Sequence, residues 1–242
     1  MGTLIEVPRS VIPACDVDSL SKLKEIVEGT FNLPGIGGYK IGAELGLTFG
    51  IGRVTSTIRA IDSGKPIIYD HQKGATDIPE FGPKFAKVLK SGGVDAAILF
   101  PFGGRVTEEA WIKACQDQGL VVLVGGEMTQ AGFLASDGGF VKDTAPAEIY
   151  ELAMELGVTD FVVPGNKPDS VLRYHSFFTE VLGAGRFTLY APGFISQGGD
   201  ISETGKVAGD NWHAIVGSAL YTLEGTSAIR EAATRLTAQI AA

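Results

Sequence analysis

Cysteine, histidine and basic side chains are all scarce in this chain of 242 residues. The two cysteines, Cys15 and Cys115, stand far apart, and neither belongs to a metal-ligand spacing. They read as reduced thiols of a cytoplasmic protein. His71, His175 and His213 are scattered, with no pair at helical ligand spacing, so no metal held by imidazoles is expected. Basic residues number 20 against 28 acidic ones, a formal charge of −8, which argues against a nucleic-acid groove built on phosphate neutralisation. No apolar run approaches a bilayer-spanning length, and the segment Met1 to Pro8 has no basic stretch followed by an apolar one. Neither membrane insertion nor export is expected. A Pro- or Ser-rich linker is missing too, so residues 1–242 are expected to form one domain.

What the chain does have is a repeat of short apolar runs alternating with amphipathic segments, the sequence form of βα units around a parallel sheet. Eight runs are present: 11–15, 38–41, 67–69, 96–100, 120–124, 161–163, 188–191 and 214–216. Helical patterns lie between them at 19–28, 83–90, 107–118, 147–156, 170–182 and 226–240. Eight such units in 242 residues, 45% of them hydrophobic, predict a closed (β/α)₈ barrel, the TIM barrel fold. Asp16, Lys40, Asp70, Glu127, Gly165, Gly193 and Gly217 all fall just after or late in their runs. That is the end of the strands where a parallel barrel keeps its chemistry.

The segment Tyr69-Asp70-His71-Gln72-Lys73-Gly74-Ala75-Thr76-Asp77-Ile78-Pro79 places two carboxylates around one ammonium at a strand end. If the second and third strands are neighbours, Lys40 and Asp70 reach the same rim. Each contact at about 4 Å is then worth on the order of 4 kcal/mol of gross Coulomb energy at an effective dielectric near ~20. A row of Lys40, Asp70, Lys73 and Asp77 would stay ionised, repel a substrate carboxylate set against one Asp, and protonate the carbanion left when CO₂ departs. Strand alternation would turn Asp70 and Lys73 to opposite sides, so a bulge is expected near His71 and Gln72. A second segment, Ala191-Pro192-Gly193-Phe194-Ile195-Ser196-Gln197-Gly198-Gly199-Asp200, precedes Val216-Gly217-Ser218. Loops seven and eight of such barrels commonly bind phosphate through backbone amides. Among weaker features, Gly35 to Gly38 reads as a turn before the second strand. Glu127 and Asp137 could ligate a cation but read as ordinary exposed loop acids, and Phe177-Phe178 as core or dimer contact.

These segments, with Lys40 and Glu127-Met128-Thr129, resemble the orotidine 5′-monophosphate decarboxylase family, whose hallmark is Asp-x-Lys-x-x-Asp-Ile-Pro followed by Ala-Pro-Gly…Gln-Gly-Gly and Val-Gly-Arg. The resemblance spans Asp16 to Tyr221 and is strongest at Asp77-Ile78-Pro79 and at Ala191 to Gly199. It implies a homodimeric enzyme of pyrimidine synthesis that uses no cofactor and no metal, and turns orotidine 5′-monophosphate into uridine 5′-monophosphate and CO₂. It further implies that Asp16 and Lys40 touch the ribose, Lys73 donates the proton and Asp70 presses on the departing carboxylate. Asp77 and Ile78 would be supplied across the dimer interface. Thr129 would read the pyrimidine in place of the usual Ser. Pro192, Gln197, Gly198, Gly199, Gly217 and Ser218 would surround the phosphate, the amides of Gly198 and Gly199 among its donors.

The chain departs from that pattern twice. Asp70 and Lys73 are separated by two residues instead of one, and Lys73 and Asp77 by three instead of two. Ser218 stands where the family has its phosphate-binding Arg, which forfeits a bidentate contact unless Lys167, Arg173 or another base replaces it. Two other readings stay open: a Mg²⁺-dependent sugar-phosphate decarboxylase or aldolase-like enzyme of the same superfamily, and a phosphometabolite-binding barrel without chemistry.

Overall fold

Eight parallel strands, paired in chain order from β1 to β8 and back to β1, form a closed barrel. The computed structural model describes residues 3–71, 74–195 and 197–241. The strands are β1 (Arg9–Cys15), β2 (Tyr39–Gly42), β3 (Ile67–Asp70), β4 (Ala96–Leu99), β5 (Val121–Gly125), β6 (Asp160–Val162), β7 (Thr188–Ala191) and β8 (Trp212–Val216). Each coincides with an expected run to within two residues at either end. The early start of β1 has a tertiary cause, because Arg9 and Ser10 pair with Trp212 and His213 of β8 to close the barrel.

Helices cover the outside: α1 (Leu20–Thr30), α2 (Ala43–Phe49), α3 (Ile51–Arg59), α4 (Gly82–Ser91), α5 (Arg105–Asp117), α6 (Ala145–Glu155), α7 (Pro168–Leu182), α8 (Ile201–Gly205), α9 (Ser218–Tyr221) and α10 (Thr226–Ala241). The sequence pattern did not resolve α2 and α3. Gly42, Gly46, Gly50 and Gly52 lower helix propensity there. Burial of Leu45, Val54 and Ile58 against the outer core supplies what propensity does not. Among the described residues no helix is long and apolar enough to cross a membrane.

Side chains alternate across each strand, so the barrel has two apolar layers. Ile12, Ala14, Ile68, Ala96, Ile98, Leu123, Val162, Tyr190 and Ile215 fill the interior. Val11, Tyr39, Ile41, Tyr69, Leu99, Val124, Phe161, Leu189, Trp212 and Val216 face the helices. The pair Phe177-Phe178 belongs to that outer layer, with Phe178 fully buried and stacked on Phe161 at 4.1 Å between ring centroids. Both cysteines are free and buried, and burial pushes each thiol up to about 12. At the N-terminal end of the strands His213 Nδ1 meets Ser10 Oγ at 2.8 Å, and the Tyr190 hydroxyl donates to Asp160 at 2.9 Å. Burial holds the His213 imidazole down to about 3, so it plugs the barrel floor as a neutral group.

Glu108, in the first turn of α5, is 2% exposed, and its Oε1 has no hydrogen-bond partner among the described residues. Burial raises its pKa from 4.5 to about 8, against the lowering effect of Arg105. The unfolded chain therefore releases this proton at lower pH than the folded one. The group's contribution to stability is full below the unfolded value and is lost as pH rises through about 8. Glu108→Gln keeps the neutral shape and cannot ionise. Its melting temperature should gain on that of the wild type as pH is raised from about 5 to about 9, read by thermal unfolding. A difference independent of pH would contradict this assignment.

Candidate active site

Inward-facing residues at the C-terminal ends of the strands surround a cavity of about 770 Å³. Ala14, Ile98, Phe100, Val162 and Ile215 give it an apolar floor, and Asp16, Lys40 and Asp70 form one wall. A second cavity, of about 540 Å³, opens at the opposite end and is lined by Arg186, Asn211 and His213 among others. The first is the candidate site because a buried ammonium is ion-paired there to two carboxylates, whereas Glu6, Asp160 and Arg186 at the second form no ion pair among the described residues.

Lys40 sits at the centre of that wall. It lies within β2 with its side chain 4% exposed. Its Nζ donates to Asp16 Oδ1 and Oδ2 at 3.0 and 3.1 Å, and it stands 3.1 Å from Asp70 Oδ2. Burial alone would pull its pKa down. Asp70 and then Asp16 outweigh burial, so the ammonium is held above the ordinary lysine range. The pairing of Lys40 with Asp70 was legible in the sequence. That Asp16 takes the other side of the same ammonium depends on the register that sets Ala14 opposite Lys40.

The row of four charges is assembled only in part. Pairing of β3 with β2 is regular through Asp70, where the strand stops. The expected bulge is therefore no part of the ladder, and side-chain alternation imposes nothing beyond Asp70. His71 turns outward. Its Nδ1 lies 2.8 Å from the Tyr69 hydroxyl and its ring packs on Phe85. Gln72 and Lys73 lie outside the described residues. Beyond them Gly74 is tied to the end of β4, its carbonyl accepting from Phe100 N at 2.9 Å. Asp77 and Ile78 are exposed and do not line this chain's own cavity. Asp77 Oδ1 accepts from Ile78 N at 2.7 Å, and the Ile78 carbonyl accepts from Trp111 Nε1 at 3.1 Å.

Thr129, on the loop after β5, Pro192 and Gln197, after β7, and Gly217 and Ser218, after β8, line the same cavity. The Ser218 Oγ is buried without a partner among the described residues. Gly198 and Gly199 depart from expectation. Gly198 N donates to Ile195 O and Gly199 N to Gly193 O, both at 3.1 Å. The loop closes on itself through Gly193 at φ 106 and Ile195 at φ 66, and spends the two amides expected at the phosphate.

Glu127 is a further correction. It is 3% exposed, not an exposed loop acid. Lys167 and Arg173 approach its two oxygens at 3.0 and 3.1 Å, and the Tyr174 hydroxyl donates to it at 2.6 Å. The two cations that could have replaced the missing Arg are thus drawn onto this carboxylate. Among the described residues no three His, Cys, Asp or Glu side chains gather as a possible metal site.

Gly125 ends β5 directly behind Phe100, where an added Cβ would lie 2.3 Å from the Phe100 ring. Because Phe100 lines the cavity, Gly125→Ala should drive that ring into the space a ligand occupies. Overpacking of this kind costs about 1–3 kcal/mol. The expected result is a lower urea midpoint together with weakened binding of uridine 5′-monophosphate, the product that the sequence resemblance implies, measured by calorimetry.

No family model matches the chain. Curated proteins do resemble it. Orotidine 5′-phosphate decarboxylase of Methanosarcina barkeri is 30% identical over 232 residues, 96% of this chain and 95% of that protein. The Methanosarcina mazei protein of the same name is 28% identical over 232 residues, with the same coverage. Among solved structures, orotidine 5′-monophosphate decarboxylase from Methanocaldococcus jannaschii, complexed with the inhibitor BMP, superposes with a TM-score of 0.79. It is 23% identical, covering 96% of this chain and 98% of that one. The Pyrococcus horikoshii enzyme gives 0.75 at 22% identity, covering 96% and 99%. The structural likeness is one of fold, a barrel of eight parallel strands. The sequence likeness, 30% identity along nearly the whole of both chains, goes further, and this chain belongs to the orotidine 5′-phosphate decarboxylase family.

Proposed function

We propose that this barrel is an orotidine 5′-phosphate decarboxylase, a carboxy-lyase that converts orotidine 5′-monophosphate to uridine 5′-monophosphate and CO₂ in pyrimidine biosynthesis. The observation that carries the reading is the buried Lys40 between Asp16 and Asp70 at the mouth of the barrel. Kinship to enzymes of that name along the chain supports it.

The chemistry follows from charge placement. Asp70, fixed by Lys40, faces the carboxylate of the bound nucleotide. Repulsion there weakens as negative charge leaves with CO₂, so the site favours the transition state over the ground state. Lys73 then protonates the ring carbon that keeps the electron pair. Asp16 and Lys40 hold the ribose, Thr129 meets the pyrimidine edge, and Pro192, Gln197, Gly217 and Ser218 surround the phosphate. Phosphate binding would exchange the internal bonds of Gly198 and Gly199 for bonds to the oxyanion. No cofactor enters these steps.

We place the working enzyme in the cytoplasm as a homodimer, each chain being one barrel domain. Asp77 and Ile78 stand outside their own cavity. In a dimer they would complete the partner's site and close the row that begins with Asp16, Lys40 and Asp70.

The deciding experiment is single-turnover release of CO₂ from orotidine 5′-monophosphate, with Lys73→Ala as control and with a metal chelator present. Release should survive chelation and vanish in the variant. Loss on chelation would favour the Mg²⁺-dependent relative, and binding without release dependent on Lys73 a barrel that only binds. Sharing across the dimer has its own test. Mixing inactive Lys73→Ala with inactive Asp77→Asn should restore about one quarter of wild-type activity, since half of randomly formed dimers carry one intact site. No recovery after subunit exchange would refute the shared site.

A further inference from the structure

The loop after β5 is held in place by two neighbouring side chains from the loop after β6. Asn166 Nδ2 donates to the Thr129 carbonyl at 3.0 Å. Lys167 Nζ donates to the Met128 carbonyl at 3.0 Å and to the Gln130 carbonyl at 3.5 Å. Three consecutive carbonyls, 128 to 130, are thus taken by one dipeptide. Lys167 also pairs with the buried Glu127, the residue at the start of the same loop. An ammonium has three protons and no more, and here Glu127, Met128 and Gln130 accept all three. Glu127 in turn is neutralised from its other side by Arg173 and bonded by Tyr174.

We infer that Lys167 is a positioning residue for the base end of the substrate, one that sets where the Thr129 side chain stands, and not the cation that replaces the missing phosphate-binding Arg. The inference rests on the proposed activity, in which Thr129 meets the pyrimidine. The three acceptors fix the ammonium against the β5 loop, while Gln197, Gly217 and Ser218 lie on the loops after β7 and β8. Turning Lys167 toward a phosphate would strip a buried carboxylate of one of its two cations, an expensive exchange. The ammonium does its work through the backbone on either side of Thr129.

The two roles separate by ligand. Wild type and Lys167→Met are titrated with uridine 5′-monophosphate, which carries base, ribose and phosphate, and with ribose 5-phosphate, which carries the sugar phosphate without the base. The variant should bind uridine 5′-monophosphate about tenfold or more weakly, the loss expected when charge-assisted bonds to the loop disappear. Ribose 5-phosphate should bind as before. For decarboxylation KM should rise and kcat change less. The double variant Glu127→Gln/Lys167→Met leaves no buried charge alone, and it should show the same selective loss if the single variant folds poorly. Equal weakening of both ligands would make Lys167 the phosphate cation and overturn the inference. Unchanged binding of both would overturn it as well. A wild-type protein that binds neither ligand would remove the proposed activity itself, a failure distinct from the other two.

Discussion

An ammonium taken out of water must be matched by negative charge close by, and at the mouth of this barrel that demand falls on Lys40. Its side chain is almost fully enclosed, and Asp16 and Asp70 stand at either side within hydrogen-bond distance. Removing both partners would leave the buried ammonium uncompensated, the situation in which ion pairs matter most. The three residues come from three successive strand ends, so the pairing order of the barrel is a precondition for the charge balance. Asp70 consequently faces the cavity in a fixed place, and a fixed anion is what decarboxylation by charge repulsion requires.

The opposite wall is organised around a second buried charge, now a carboxylate. Glu127 draws in Lys167, Arg173 and Tyr174, and through Lys167 it governs the backbone of the loop that carries Thr129. Two cations that could have been spent on the substrate phosphate are spent on the scaffold. On the proposed reading, with Ser218 where the family has its Arg, the phosphate end would rely on neutral donors. Asn166 joins the two regions, since its Nδ2 reaches both the Thr129 carbonyl and, at 3.4 Å, that of Gln197.

The motif around Lys73 is longer than the family pattern by two residues, and the described residues on either side of Gln72 and Lys73 are each anchored. The strand ends at Asp70, His71 docks on Tyr69 and Phe85 outside the barrel, and Gly74 is tied to the end of β4. Alternation along a strand ceases to constrain the path once the ladder stops. The remainder of the loop then runs to Ile78, whose carbonyl is held by Trp111 of α5, leaving Asp77 at the surface.

The sequence by itself determined the barrel, because eight apolar runs in alternation with amphipathic segments have few other ways to bury their surface. It pointed as well to the C-terminal end of the strands, where the cavity with the buried charges lies, and it singled out Lys40, Asp70 and the loops after β7 and β8. These are local signals: periodicity, residue type and position after a run. Only the tertiary structure decided that Asp16 shares Lys40, that Glu127 is buried and holds two cations, and that the amides of Gly198 and Gly199 are spent within their loop. Each of those depends on residues brought together from separate strands, or on the exact path of a loop. A carboxylate in a sequence looks the same whether water or an arginine will neutralise it, and burial is what makes the difference.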